Sequence, residues 1–220
     1  MKLNIDLHVH THLSACALLK PEEIEPVALK RGLDAVAVTD HNCITGAFRV
    51  KEIAKTIDVI IAEEIRTTHG EIIGYFLSEH IPAGLSPRET IQEIRRQNGL
   101  TAVPHPFDQI RSSRLNKVGL KAIAGEIDMI EIFNSRDIRR VPDTELLQDI
   151  LRAGAVPIVA SDAHLKTEIG RSFITIDAFG SPQEFLKNLP AAQQTARKSP
   201  LWVHLVTKLI KPYKRRKLGV

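Results

Sequence analysis

The stretch Asn4-Ile5-Asp6-Leu7-His8-Val9-His10-Thr11-His12 sets three imidazoles and a carboxylate at alternate positions. Alternate side chains of an extended strand share a face, so Asp6, His8, His10 and His12 are predicted on one side and Ile5, Leu7 and Val9 on the other. Several imidazoles on one buried face are costly unless each finds a partner. A divalent metal ion removes that cost, since neutral imidazole is among the commonest metal ligands. Taken alone, the stretch also fits a solvated edge strand that is rich in histidine.

The same kinds of side chain recur where other apolar runs end. Val36-Ala37-Val38-Thr39 leads into Asp40-His41, Ile60-Ile61-Ala62 into Glu63-Glu64, and Thr101-Ala102-Val103 into Pro104-His105-Pro106. Ile130-Glu131-Ile132-Phe133 leads into Asn134-Ser135-Arg136, and Ile158-Val159-Ala160 into Ser161-Asp162-Ala163-His164. Of nine histidines, six (His8, His10, His12, His41, His105 and His164) fall at such places, which scattered surface histidines would not do. In a parallel barrel these strand ends converge on one rim, where barrel active sites are built. Imidazoles and carboxylates without a thiolate cluster suit zinc, manganese or iron. There are more ligands than one tetrahedral ion uses, so a cluster of two or three ions is expected, with a carboxylate such as Glu64 able to bridge. Closely spaced ions suit phosphate-ester hydrolysis, because they acidify bound water and neutralise the transferring phosphoryl group.

Elements that could position these groups alternate along the chain in β/α fashion. Helices are predicted at about 21–31, 46–56, 87–97, 116–124, 143–153 and 182–189, between strands at 34–38, 59–62, 72–77, 100–103, 129–133, 156–160 and 172–176. A length of 220 residues, 43% hydrophobic and 25% charged, fits one globular domain that could be an α/β barrel. No apolar run is long enough to span a bilayer, no basic-then-apolar leader opens the chain, and Cys16 and Cys43 make no disulfide framework, so a cytoplasmic location is expected. The net charge of +4 belongs to the tail: Lys208, Lys211, Lys214, Arg215, Arg216 and Lys217 account for six of 30 basic groups, leaving 24 against 26 acids. Aromatic residues are only 5% of the chain, too few for a stacking platform along single-stranded nucleic acid.

Together, Asp6-Leu7-His8-Val9-His10-Thr11, Thr39-Asp40-His41, Glu64, Pro104-His105-Pro106 and Ser161-Asp162-Ala163-His164 resemble the four-motif pattern of the PHP (polymerase and histidinol phosphatase) family. The resemblance covers roughly residues 3–176 and implies a distorted (β/α)7 TIM-like barrel with up to three metals at the C-terminal rim. It implies one metal held by His8, His10, Glu64 and Asp162, a second by His41 and His164, and a third by Glu64 and His105 with Asn134 near the last ligand position. Many small members complete the second site with an acid or His shortly after the first motif. Here the stretch is Ser14-Ala15-Cys16, so Cys16, His12 or a water molecule is left to complete it. Glu71 stands where some members have a ligand or site-lining His.

Arg136 and Arg171 lie just beyond motifs and are candidate phosphate clamps. Asp40 is the candidate catalytic residue, either orienting a ligand or protonating a leaving group. The expectation is a metal-dependent phosphoesterase using a metal-bridged hydroxide on a small phosphorylated metabolite or nucleotide, with long nucleic acids not favoured. The alternative is a non-catalytic, metal-stabilised scaffold. The barrel is predicted over 1–195 and a C-terminal helix with a basic tail over 196–220. In that helix Leu201, Trp202, Leu205, Val206, Leu209 and Ile210 are expected against the barrel, with the basic groups in solvent.

Overall fold

Short runs of β-branched and small residues pair side by side because their backbone polar groups must be satisfied and both faces are apolar. The structure, a computed structural model, describes residues 1–218. Among these are β1 (Lys2–Val9), β2 (Ala35–Val38), β3 (Asp58–Thr67), β4 (Gly70–Tyr75), β5 (Leu100–Val103), β6 (Met129–Asn134), β7 (Val156–Ala160), β8 (Phe173–Asp177) and β9 (Gln193–Thr195). They form one curled sheet in the order β7-β6-β5-β4-β3-β2-β1-β8-β9. β1, β2 and β3 pair in parallel, as do β5, β6 and β7, while β4 lies antiparallel between the two sets. Thr68 and His69 turn β3 directly into β4, where a regular barrel would place a crossover helix. β8 takes the lower half of β1, pairing antiparallel from Lys2 to Ile5. The ring therefore closes only at the top, where the His10 amide donates to the Ala163 carbonyl (2.8 Å) and the Ala163 amide to the His8 carbonyl (3.0 Å). This is the predicted distorted barrel, with β4 reversed.

The helices are α1 (Pro21–Lys30), α2 (Thr45–Ile53), α3 (Pro87–Arg96), α4 (Lys117–Ala122), α5 (Thr144–Arg152), α6 (Pro182–Asn188) and α7 (Trp202–Leu218). Their starts obey local rules. Ser86 caps the Glu89 amide and Glu89 reciprocates, with Pro87 in the first turn of α3, and Asp143 caps the Leu146 amide of α5. One apolar layer packs Val36, Val38, Ile61 and Ile130 against Ile24, Val50, Ile91 and Ile150 of the helices. The other fills the barrel with small and branched residues such as Ile5, Leu7, Ala37, Ala62, Ala102 and Ala160, closed below by Phe185 and Leu189.

Strict alternation fails in β1. Asp6 pairs with Val36 and Val9 with Val38, so β1 carries one residue more than β2 over that interval. A bulge of this kind reverses the facing of the residues beyond it. Ile5 and Leu7 join the inner layer and Val9 the outer one, so they do not share the predicted face. Asp6 is likewise separated from His8 and His10, its carboxylate accepting from the Ser161 (3.2 Å) and Gly170 (2.8 Å) amides.

Helix α7 is turned differently from the expectation. Val203 and Thr207 face the barrel, while Leu201, Trp202, Leu205 and Leu209 are exposed, Trp202 by 51%. Polar anchors set the rotation. Arg136 Nη2 donates to Thr207 Oγ1 (2.8 Å), and the Lys214 ammonium donates to the carbonyls of His12 (2.5 Å), Ser14 (3.0 Å) and Ala17 (2.6 Å). Residues 203, 207 and 214 fall on one helical face, so securing 207 and 214 turns Trp202 outward. Lys214, expected in solvent, is thus a clasp. The side chains of Lys211, Arg215, Arg216 and Lys217, and the end of the tail at Gly219 and Val220, lie outside the described part of the chain. Among the described residues no helix is long and apolar enough to cross a membrane.

Candidate metal centre

The β1 bulge aims His8 and His10 inward together. His8 Nδ1 is 2.7 Å from Glu131 Oε1, and His10 Nδ1 is 3.1 Å from Ser14 Oγ, which itself donates to Asp40. With each Nδ1 turned to its own partner, both Nε2 atoms point at one place, 2.9 Å apart. Asp162 Oδ1 lies 3.4 and 3.3 Å from them, and Glu64 Oε2 3.5 and 3.3 Å. A tetrahedral ion with bonds of 2.0–2.1 Å has ligand–ligand edges of about 3.3–3.4 Å. Glu64 Oε2 and Asp162 Oδ1 are also fully buried and accept no hydrogen bond. Orphaned carboxylate oxygens in a dry site are costly, and a cation is what satisfies them. These four side chains fit a metal ion.

A second group lies toward solvent. His164 Nδ1 donates to the Asp162 carbonyl (2.8 Å), leaving Nε2 free, and Cys16 Sγ is 3.1 Å from that atom. His10, His41 and His164 offer ligand atoms within 4.8 Å of one another, and so do His41, Glu64 and Glu71. His41 Nδ1 is 2.9 Å from Glu64 Oε2, and His105 Nε2 is 2.9 Å from Glu64 Oε1. The two Glu64 oxygens therefore face different imidazoles, the disposition a bridging carboxylate needs. Glu71 Oε2, buried without a hydrogen bond, lies 3.9 Å from His105 Nε2.

Burial opposes charge on all these groups. It is outweighed at Glu64 by His41 and His8, and at Asp162 by Arg111 and His8, so both carboxyls sit well below their usual range. Burial, aided by the neighbouring His41, pushes His10 down to about 4, and burial aided by Arg136 pushes His164 well below normal. Both rings are thereby neutral, the form that ligates metals. The backbone is strained at two of the positions that present ligands, His105 at φ +32° and Asp162 at φ +55°. Left-handed conformations of this kind cost on the order of 1–3 kcal/mol and cluster at functional sites.

Four residues expected as ligands or clamps have their polar groups engaged elsewhere or stand apart, and Asp40 sits behind the candidate ligands. Asp40 accepts from the Thr11 amide (2.8 Å), Thr11 Oγ1 (2.5 Å) and Ser14 Oγ, an arrangement that fits the first of its two expected roles, orienting His10 through Ser14. Gly46 provides the room for it, since a Cβ there would collide with its carboxylate. Asn134 has both ends of its amide engaged, with Glu131 Oε2 and the Arg136 amide, and presents no free oxygen. Arg136 spends its guanidinium on Glu168 and Thr207. Arg171 turns to the Thr167 and Lys198 carbonyls, off the wall of the cleft. His12 belongs to no group of metal-capable side chains among the described residues, although its carbonyl is clasped by Lys214.

Two residues with no motif to mark them matter to the site. Arg111, in the loop after β5, donates to Asp162 Oδ2 at 2.7 Å and lines the cleft above the centre. Glu131 holds His8 by one oxygen and the His105 amide (2.7 Å) by the other. Its place in the run Ile130-Glu131-Ile132-Phe133 was legible, but its link to His8 and His105 required the fold. Partners that orient metal-binding imidazoles are typically worth about 10–100-fold in affinity. Glu131→Gln is accordingly expected to weaken metal binding by roughly that factor in a chelator competition. An unchanged affinity would remove Glu131 from the centre.

The PHP domain model matches residues 6–152. Uncharacterized protein MJ1587 of Methanocaldococcus jannaschii is 40% identical over 145 residues, covering 60% of this chain and 82% of that one. Uncharacterized protein MJ0417 of the same organism is 32% identical over 197 residues, covering 85% and 79%. Among solved structures, a two-domain protein of Bacteroides vulgatus described as containing a predicted PHP-like metal-dependent phosphoesterase superposes with a TM-score of 0.69 at 19% identity, covering 96% of this chain and 70% of that one. An amidohydrolase of Chromobacterium violaceum with bound sulfate and no metal gives 0.59 at 16% identity, covering 86% and 97%. At these identities the structures speak for the fold alone. The family match spans two-thirds of the sequence and takes in His8, His10, His41, Glu64 and His105, so the chain belongs to the PHP domain family.

Proposed function

We propose that this protein is a metal-dependent phosphoesterase of the cytoplasm that hydrolyses a small phosphate monoester or a mononucleotide. The observation that carries this reading is the shared Glu64 carboxylate, reaching two groups of imidazoles beneath a cleft with cationic walls. His8, His10, Glu64 and Asp162 would hold one ion, His41 and His164 a second, and His105 with Glu64 and Glu71 a third. When bound, zinc, manganese or iron ions supply acidified water and Lewis-acid stabilisation of phosphoryl oxygens.

The chain's own residues provide the rest. The cleft has a volume of about 960 Å³ and includes Arg66, Arg111 and Lys208 in its lining. That is room enough for a nucleoside monophosphate, in the upper range for small-molecule sites. Burial works against the charge of Arg111, but Asp162 and Glu64 outweigh it and raise its pKa, so a phosphate entering the cleft meets a fixed guanidinium. Asp162 thereby couples the two functions, one oxygen turned to the imidazoles and the other to the substrate-facing cation. The aromatic residues near the rim offer no stacking surface to a long nucleic acid: Phe107 is buried, and Phe133 is covered by Lys198 at 4.8 Å.

Phosphate release from metabolites, nucleotides and short oligonucleotides by the manganese-, zinc- or iron-loaded protein tests the proposal. Turnover is expected on monoesters, and Arg111→Ala is expected to lower kcat/KM by about 10–100-fold, the worth of one charge-assisted hydrogen bond. Loaded protein that releases no more phosphate than its Glu64→Ala variant would overturn it.

A further inference from the structure

The outer group of ligands lacks an acid where its loop passes, and the side chain that does reach it is a thiol. Cys16 is buried yet contributes to the cleft wall, and its Sγ stands 3.1 Å from His164 Nε2. Because His164 Nδ1 is committed to the Asp162 carbonyl, Nε2 is the atom left to bind an ion, and the thiol faces that atom directly. An independent observation marks the same spot: Glu64 Oε2, fully buried and without a hydrogen bond, comes to 2.9 Å of His41 Nδ1. The loop that carries the thiol is anchored on both sides. The Leu18 amide donates to the His164 carbonyl (2.9 Å), and Lys214 bonds the carbonyls of His12, Ser14 and Ala17 around it.

We infer that Cys16 Sγ is an inner-sphere ligand of the metal held by His41 and His164. This inference rests on the proposed metal centre and deepens it. For tetrahedral zinc with a thiolate bond of about 2.3 Å and an imidazole bond of about 2.0–2.1 Å, the S–N edge is roughly 3.5 Å, a few tenths of an ångström beyond the present contact. A thiolate at this position favours zinc or ferrous iron over manganese and magnesium, which prefer oxygen donors. The outer position would then differ in metal preference from one completed by a carboxylate.

Cobalt(II) loading of the full-length protein reads the thiolate directly. A near-ultraviolet sulfur-to-cobalt charge-transfer band is expected beside the visible d–d bands. Cys16→Ser is expected to abolish the charge-transfer band and keep visible bands from the inner position. Cys43→Ser, altering the other thiol of the cleft, is expected to leave the band intact. Cys16→Asp, which restores an oxygen donor should the serine variant fold poorly, is expected to keep metal stoichiometry and shift the outer position toward manganese. Full cobalt loading of the wild-type protein without a charge-transfer band, or a band that survives in Cys16→Ser, overturns the role of Cys16 while leaving the metal centre standing. Failure to bind cobalt at all overturns both.

Discussion

Replacing Glu64 with alanine is expected to cost both metal retention and turnover, the latter by about 10³-fold or more. Glu64 Oε2 lies within 3.5 Å of His8, His10 and His41, and Oε1 is bonded to His105, so no other carboxylate touches as many ligand imidazoles. Metal ions stabilise a transferring phosphoryl group by several kcal/mol, and about 4 kcal/mol is roughly a thousandfold in rate. The loss should also appear without any substrate. A ligand that binds only the folded state stabilises it by mass action, so the melting temperature of the wild-type protein should fall on metal stripping. That of Glu64→Ala should hardly respond to stripping or reloading. A variant that keeps its metals and turns over within tenfold of wild type would show that Glu64 does not bridge.

The second large effect is one of stability. Arg136 Nη1 is bonded to both Glu168 oxygens, at 2.8 and 2.7 Å, with Arg136 only 5% exposed and Glu168 not at all. Glu168 also accepts from the His164 and Leu165 amides, both at 3.1 Å. Glu168→Ala leaves a buried guanidinium without its counter-charge, which typically costs about 3–5 kcal/mol. At roughly 2–4 °C per kcal/mol for a chain of this size, the melting temperature should drop by about 6–20 °C. Replacing both partners with apolar residues of similar volume should recover most of it, because the pair itself gains little over hydrophobic packing. A drop below about 2 °C in Glu168→Ala would mean that water reaches the guanidinium. Since Glu168 also holds the His164 backbone, weaker metal binding at the outer position should accompany the loss.

Arg136 shows where reading a sequence stops. Its place beyond a strand end was legible, but the direction of its guanidinium depends on Glu168, a residue 32 positions away that no motif marks. The candidate ligands fared differently. His41, Glu64, His105, Asp162 and His164 each come after an apolar run, and a β/α barrel sends every such position to one rim. Local pattern and global geometry therefore coincide for them. The bulge in β1 was invisible because one extra residue leaves no trace in an alternating pattern, and it is what places Asp6 apart from His8. Arg111 was missed for the same kind of reason, as a loop arginine differs from a surface one only in what it meets. In α7 the apolar residues were read as the buried face, yet Thr207 and Lys214 find partners on the barrel and so decide the rotation.

The Lys214 clasp also has a consequence for how the protein is made. Its three bonds join positions separated by 202, 200 and 197 residues, the longest hydrogen-bonded span among the described residues. At a ribosomal speed of about 5–20 residues per second, roughly 10–40 s pass between synthesis of the loop around Ser14 and arrival of its clasp. During that interval the barrel strands are emerging while the segment bearing Cys16 has its local turn bonds, such as Ala17 amide to Ser14 carbonyl (3.1 Å), but not its clasp. Residue 214 is made after every strand of the barrel, so the tethering of the Cys16 segment to α7 follows synthesis of the whole sheet.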